Sequence, residues 1–123
     1  MRNILLLLLV MFVGSAYAEL QKVKETADDI FYIDSTSIKK YGNFRRVWGI
    51  DDFRERTVDG FLSLRLQMEI DCKKEQFRIV SMYSHSEHMG DGTTALNSDY
   101  PEDFHEVAPT TYSESVTQAV CLF

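Results

Sequence analysis

His85, Ser86, Glu87 and His88 put two imidazoles and a carboxylate within four residues. Neutral imidazole ligates zinc and haem iron, which makes His85 and His88 the candidate metal or haem ligands. Ligands three residues apart converge on one side only in a helix, however, and this run reads as a strand entering a loop punctuated by Gly90 and Gly92. Solvated loop histidines are the plainer account, and His105 is a third imidazole with no evident partner. Asp51-Asp52 and Glu102-Asp103 are the candidate acid–base pairs. Adjacent strand residues point to opposite faces, and turn carboxylates stay solvated and ionised. With no G-x-S-x-G elbow, no H-E-x-x-H and no glycine-rich phosphate loop, the sequence predicts no enzyme, no catalytic residue and no cofactor. A third group is basic and aromatic: Arg45, Arg46, Arg65 and Arg78 lie on adjacent candidate strands, near Trp48, Phe53 and Tyr83. Arginine and aromatic rings are enriched at interface centres, so Arg45, Arg65 and Arg78 are candidate contacts on one sheet face. The plainer alternative is cross-strand pairing of Arg65 and Arg78 with Glu69 and Asp71.

What compartment the chain works in follows from its ends. "MRN", the apolar run "ILLLLLVMFVG" and Ala16-Tyr17-Ala18 form the three parts of a secretory signal peptide, with cleavage expected between Ala18 and Glu19. The run is short of the roughly 20 residues that span a bilayer. No cysteine lies near the junction to accept a lipid, so neither a membrane span nor a lipid anchor is expected. Residues 19–123 are then one exported domain, periplasmic or secreted. The 13 basic residues less Arg2, set against 19 acidic ones, leave that domain a net charge of −7. Such a surface repels phosphate backbones, and nucleic acid is not an expected partner.

Cys72 and Cys121 are the only cysteines, and an even count in an exported chain implies a disulfide. A metal pair or an intermolecular bridge is the alternative use of the two thiols.

The elements that must position these residues are read from periodicity. "FLSLRLQMEIDC" puts Leu62, Leu64, Leu66, Met68, Ile70 and Cys72 on one parity, the apolar face of a strand. Ile30 to Asp34 and "NFRRVWGIDDF" are earlier strands, with Asp34 or Ser35 capping a helical turn that Gly42 ends. Asp59-Gly60 favours a tight reversal. "ELQKVKETADD" reads as a polar lead-in. Gln76 to Ser84 is apolar on both parities, which suggests a second covered face, with another copy of the chain as one cover. "TTALNS" is a weak strand and "FHEVAP" a last one. In "TTYSESVTQAVC", Thr111 and Glu114 have capping-box spacing, and Tyr112, Val116, Ala119 and Val120 recur at helical period. Cys72 and Cys121 then lie on the buried sides of a strand and a helix, and a disulfide between them would pin the helix to the sheet. The fold class is α+β: an antiparallel sheet of five to six strands with a C-terminal helix tethered across one face.

The order of "YIDSTSIKKYGNFRRVWGIDDF", "LSLRLQMEIDC", "YSHSEHMGDG" and "VAPTTYSESVTQAVC" resembles the surface-adhesin protein E-like domain family of Gram-negative bacteria. The resemblance runs from about Ile30 to Cys121. It implies an antiparallel sheet with a disulfide-held C-terminal helix. It also implies binding to host extracellular-matrix and serum proteins, dimerisation and haem binding. The family's adhesin carries a lipid on an N-terminal cysteine, which this chain lacks. The functional expectation is a non-enzymatic interaction domain of the cell envelope with a host or envelope protein as partner and a homodimer as one assembly. A periplasmic haem or metal carrier using His85 and His88 is the alternative.

Overall fold

Short polar turns between alternating strands fold this chain into a single antiparallel sheet. The computed structural model describes residues 19–99 and 101–122, and the expected signal segment, residues 1–18, lies outside them. The strands are β1 (Leu20–Glu25), β2 (Asp29–Asp34), β3 (Lys39–Tyr41), β4 (Phe44–Phe53), β5 (Ser63–Asp71), β6 (Gln76–His85), β7 (Thr94–Ser98) and β8 (His105–Glu106), followed by helix α1 (Tyr112–Cys121). Their order across the sheet is β1-β2-β4-β5-β6-β7. β3 continues the row of β2 along β4, and β8 continues the row of β7 along β6. The architecture is the expected α+β one.

Pairing fixes the two faces. Ile33 lies opposite Gly49, Val47 opposite Met68, and Ile70 opposite both Arg45 and Phe77. Phe31, Ile33, Val47, Leu66, Met68, Ile70 and Phe77 on this side pack with Val116 and Val120 of α1 into the buried core. Tyr112 stacks on Phe31 with ring centroids 4.8 Å apart. The Cys72–Cys121 disulfide joins the residue after β5 to the last residue of α1, with Cα atoms 5.6 Å apart. The predicted tether is present, and both cysteines are consumed by it.

Several local expectations need correcting. "LQKVKE" is not a lead-in but the edge strand β1. Its Lys22, Lys24 and Glu25, with a bulge between Lys22 and Lys24, are the charged, irregular features that keep a free sheet edge from pairing further. Asp34 does cap the turn Ser35–Ser37, its carboxylate accepting from the Thr36 amide at 3.0 Å. Gly42 serves a different turn, the β3–β4 reversal, where its φ is +56°. Thr111 is the N-cap of α1, but its hydroxyl donates to the Ala108 carbonyl at 2.7 Å instead of closing a capping box. β6 gives the most instructive correction. Gln67 pairs with Ser81 and Met68 with Ile79, so Val80 is an extra residue in the ladder. This bulge switches the parity. Phe77, Ile79 and Met82 therefore all face the helix side, and the double apolar pattern does not call for a second copy of the chain.

Gly49 is where the sheet and core come closest. A Cβ built there would sit 2.7 Å from Met68 Cε and 2.8 Å from the Tyr32 carbonyl oxygen. Methionine can rotate away; a backbone carbonyl held in the β2–β4 ladder cannot. Gly49→Ala is expected to destabilise the domain by about 1–3 kcal/mol, read as a lowered urea midpoint with an unchanged slope.

Candidate functional site

The face away from α1 carries Trp48 and Arg46 from β4, Arg65 and Glu69 from β5, and Arg78 and Tyr83 from β6. Strand alternation puts them there: Arg46 pairs with Glu69, Glu69 with Arg78, and Arg65 with Tyr83. Two clusters result, and they behave differently.

The first is centred on Glu69, whose residue surface is only 4% exposed. Arg46 Nε donates to its Oε2 at 2.8 Å, and Arg78 donates to Oε1 from Nη2 at 2.6 Å and from Nε at 3.0 Å. The Tyr41 hydroxyl donates to Oε2 as well. Burial pushes the Glu69 carboxyl upward, but the bonds from Tyr41, Arg46 and Arg78 outweigh it and hold the group below its ordinary range. Phe104 closes over the Arg78 guanidinium at 4.3 Å, with Phe44 beside it at 6.1 Å between ring centroids. The Arg78–Glu69 pairing matches the plainer alternative drawn from the sequence, and it makes Arg78 structural.

The second cluster surrounds Arg65. Its guanidinium carbon lies 5.1 Å from the Trp48 ring centroid and 5.0 Å from that of Tyr83. It does not pair with Glu69 or Asp71. Asp71 instead accepts the amides of Lys73 at 3.1 Å and Lys74 at 3.0 Å, closing the β5–β6 turn. Next to Arg65 opens a cleft of about 350 Å³, lined by Leu20, Asp34, Trp48, Ile50 and Met89. Met89 is held at its rim by a hydrogen bond from its amide to Asp52 Oδ1 at 2.8 Å.

Arg45 does not belong to this face. It pairs opposite Ile70 on the helix side, is 6% exposed, and donates to the carbonyls of Gly42 and Phe44 at 3.1 and 2.9 Å. Arg45 and Arg46 are neighbours on a strand and must point to opposite faces. Parity alone separates them, and Arg46 is the one that reaches Glu69.

The histidines do not form a joint site. His85 is buried under the 86–92 turn, with Nδ1 3.1 Å from the Thr94 hydroxyl and Nε2 about 4.0 Å from where a Gly90 Cβ would lie. Burial, followed by the nearby Arg65 charge, lowers its pKa and keeps it neutral. His88 is exposed and bonds Asp52 through Nδ1 at 3.1 Å. His105 sits at the other end of the sheet beside Phe77 and Glu102. Among the described residues, no group of three or more His, Cys, Asp or Glu is placed to hold a metal ion. The carrier reading through His85 and His88 gains nothing from this arrangement.

One carboxyl of the Asp51-Asp52 pair is buried. Asp51 and Asp52 do point to opposite faces, but Asp51 is not solvated: its Oδ1 is buried without a partner, and the group shares a hydrogen bond with Asp29. Burial first, then that bond and the charges of Asp29 and Asp52, raise Asp51 from 3.8 to about 8, while Asp29 is lowered. Asp51 is thus the protonated donor to Asp29 at neutral pH. The stabilisation linked to its proton is complete below pH 3.8 and disappears as pH rises through about 8. Asp51→Asn keeps the donor without the titration. We expect it to melt above the unmodified protein by several degrees at pH 8.5 (roughly 5 °C for each kcal/mol in a domain of this size), with the gap closing towards pH 4. A constant gap across that range would contradict the assignment.

The sequence model of one protein family, described as Surface-adhesin protein E, matches residues 19–122. Solved structures of protein E from Haemophilus influenzae share the fold. One crystal form superimposes with a TM-score of 0.65 at 16% identity, covering 87% of this chain and 97% of that one. Protein E from non-typeable Haemophilus influenzae gives 0.67 at 15% identity, over 89% and 79% of the two chains. No curated protein matches by sequence.

Proposed function

This chain belongs to the surface-adhesin protein E family, and from that premise we propose that it is an exported, non-enzymatic domain that binds a protein partner through the sheet face opposite α1. Residues 1–18 are its signal peptide and residues 19–123 the working domain, released beyond the inner membrane by cleavage after Ala18. The observation that carries the reading is Arg65, exposed between Trp48 and Tyr83 on the sheet face opposite α1. Rings and a guanidinium in that arrangement supply the desolvated anchors that dominate protein interfaces. Arg78 is not proposed as a contact, because Glu69 and Phe104 already occupy it. The partner is a host or an envelope protein.

The test is surface plasmon resonance with the oxidised domain against immobilised host extracellular-matrix and serum proteins and purified envelope proteins. Saturable binding that falls at least tenfold on Arg65→Glu supports the proposal. Absence of binding across both panels, or binding indifferent to that charge reversal, contradicts it.

A further inference from the structure

On the reading that this face binds a protein, the geometry points to what the Arg65 cleft recognises: a carboxylate carried by a partner polypeptide, next to an apolar side chain. The arginine itself is the first observation. Arg45 is spent on backbone carbonyls, Arg46 and Arg78 on Glu69, Arg54 on Glu25 and the Thr26 carbonyl, and Arg56 on the carbonyls of Gly60 and Ser86. Among the described residues Arg65 alone of the arginines is bonded to no acceptor; rings are its only partners. Trp48 and Tyr83 restrain the guanidinium and leave its N–H donors unspent. A guanidinium restrained in this way matches a carboxylate bidentately, and less entropy is lost when it does so.

The cleft selects among anions. Trp48, Ile50, Leu20 and Met89 provide apolar walls, and about 350 Å³ is at the small end of ligand-sized pockets. Methionine is adaptable and lets the rim fit a side chain that is not preset. Asp34 lines the same cleft, and the whole chain is acidic at −6. A doubly charged phosphate meets that field at a greater disadvantage than a single carboxylate, whose one charge Arg65 offsets. Trp48, Ile50 and Arg65 belong both to the cleft lining and to the sheet face opposite α1, which suits an acidic residue presented by a polypeptide surface.

Trp48 is the single tryptophan, so its fluorescence reports directly on occupancy. The oxidised domain is titrated with an acetylated, amidated peptide holding glutamate between leucines, with its glutamine twin, with N-acetylglutamate and with inorganic phosphate. The glutamate peptide should give a saturable change, with affinity at least tenfold weaker for the glutamine twin and for Arg65→Gln. Arg65→Lys should lose less. Equal affinity for the two peptides, no effect of Arg65→Gln, or no saturable signal would each overturn the inference. N-acetylglutamate or phosphate binding as tightly as the peptide would overturn the polypeptide assignment. A domain that binds a panel protein yet treats the two peptides alike loses this inference and keeps the proposed function. A domain that binds the glutamate peptide selectively but no panel protein keeps the cleft chemistry and loses the proposed function.

Discussion

Replacing Cys72 and Cys121 together by alanine is expected to remove about 4 kcal/mol of stability. The two residues are 49 apart in sequence, so the bond closes a long loop and restricts the unfolded chain strongly. The helix it tethers has ten residues, too few to persist alone in water. Val116 and Val120 are fully buried in the same core cluster as Phe31, Ile33 and Met68, and Tyr112 stacks on Phe31, so the helix is expected to stay docked in the folded state without the bond. The loss therefore falls mainly on the unfolded side. Set against the 5–15 kcal/mol typical of a whole domain, it is a large share. Urea denaturation of the oxidised and double-alanine proteins measures it. An unchanged midpoint would show that the tether does not stabilise the helix, and two titratable thiols in the denatured, unreduced protein would show that it is not there.

Glu69→Ala is expected to cost about 3 kcal/mol. Its carboxylate is acceptor to Arg46, Arg78 and Tyr41 at once, and removing it strands all three on a face partly covered by Phe104. The arginines are not sealed from water, with side chains 37% and 25% exposed, which keeps the cost below that of a fully buried pair. Because the Glu69 pKa is depressed in the fold, its stabilisation is present above the ordinary carboxylate range and is lost as pH falls through the lowered value. The sign is opposite to that of Asp51. Stability measured from pH 3 to 7 should rise less steeply in Glu69→Ala than in the unmodified protein, and an identical profile would contradict the role given to the carboxylate.

How much of this was legible in the sequence depended on what each residue's neighbours contribute. β5 announced its buried side because Leu66, Met68 and Ile70 alternate with polar residues, and α1 because Tyr112, Val116 and Val120 keep helical period. β1 was not legible, since an edge strand with both sides largely solvated has no apolar alternation to show. β6 misled because a bulge at Val80 leaves no mark in a single sequence, yet reverses every inference about faces beyond it. The same limit applies to the site. Arginine and aromatic residues on adjacent strands were visible, but which arginine stays free was not. That depends on Phe104 arriving over Arg78 from 26 positions away and on Glu69 having room for two guanidinium partners. Opposite faces for Asp51 and Asp52 follow from strand alternation, but nothing local reveals that β2 brings Asp29 against Asp51.

In the proposed function the Trp48–Arg65–Tyr83 face, and not the helix side, meets the partner. Nitrogen–proton NMR spectra of the oxidised domain, recorded with and without the panel protein that binds, test it most directly. The Trp48 indole and Arg65 Nε–H signals are expected to shift, together with backbone amides of β4, β5 and β6 around them, while Val116 and Val120 stay in place. Shifts gathered on α1 or along the β1 edge, with Trp48 and Arg65 unmoved, would place the partner on another surface and overturn the proposed function.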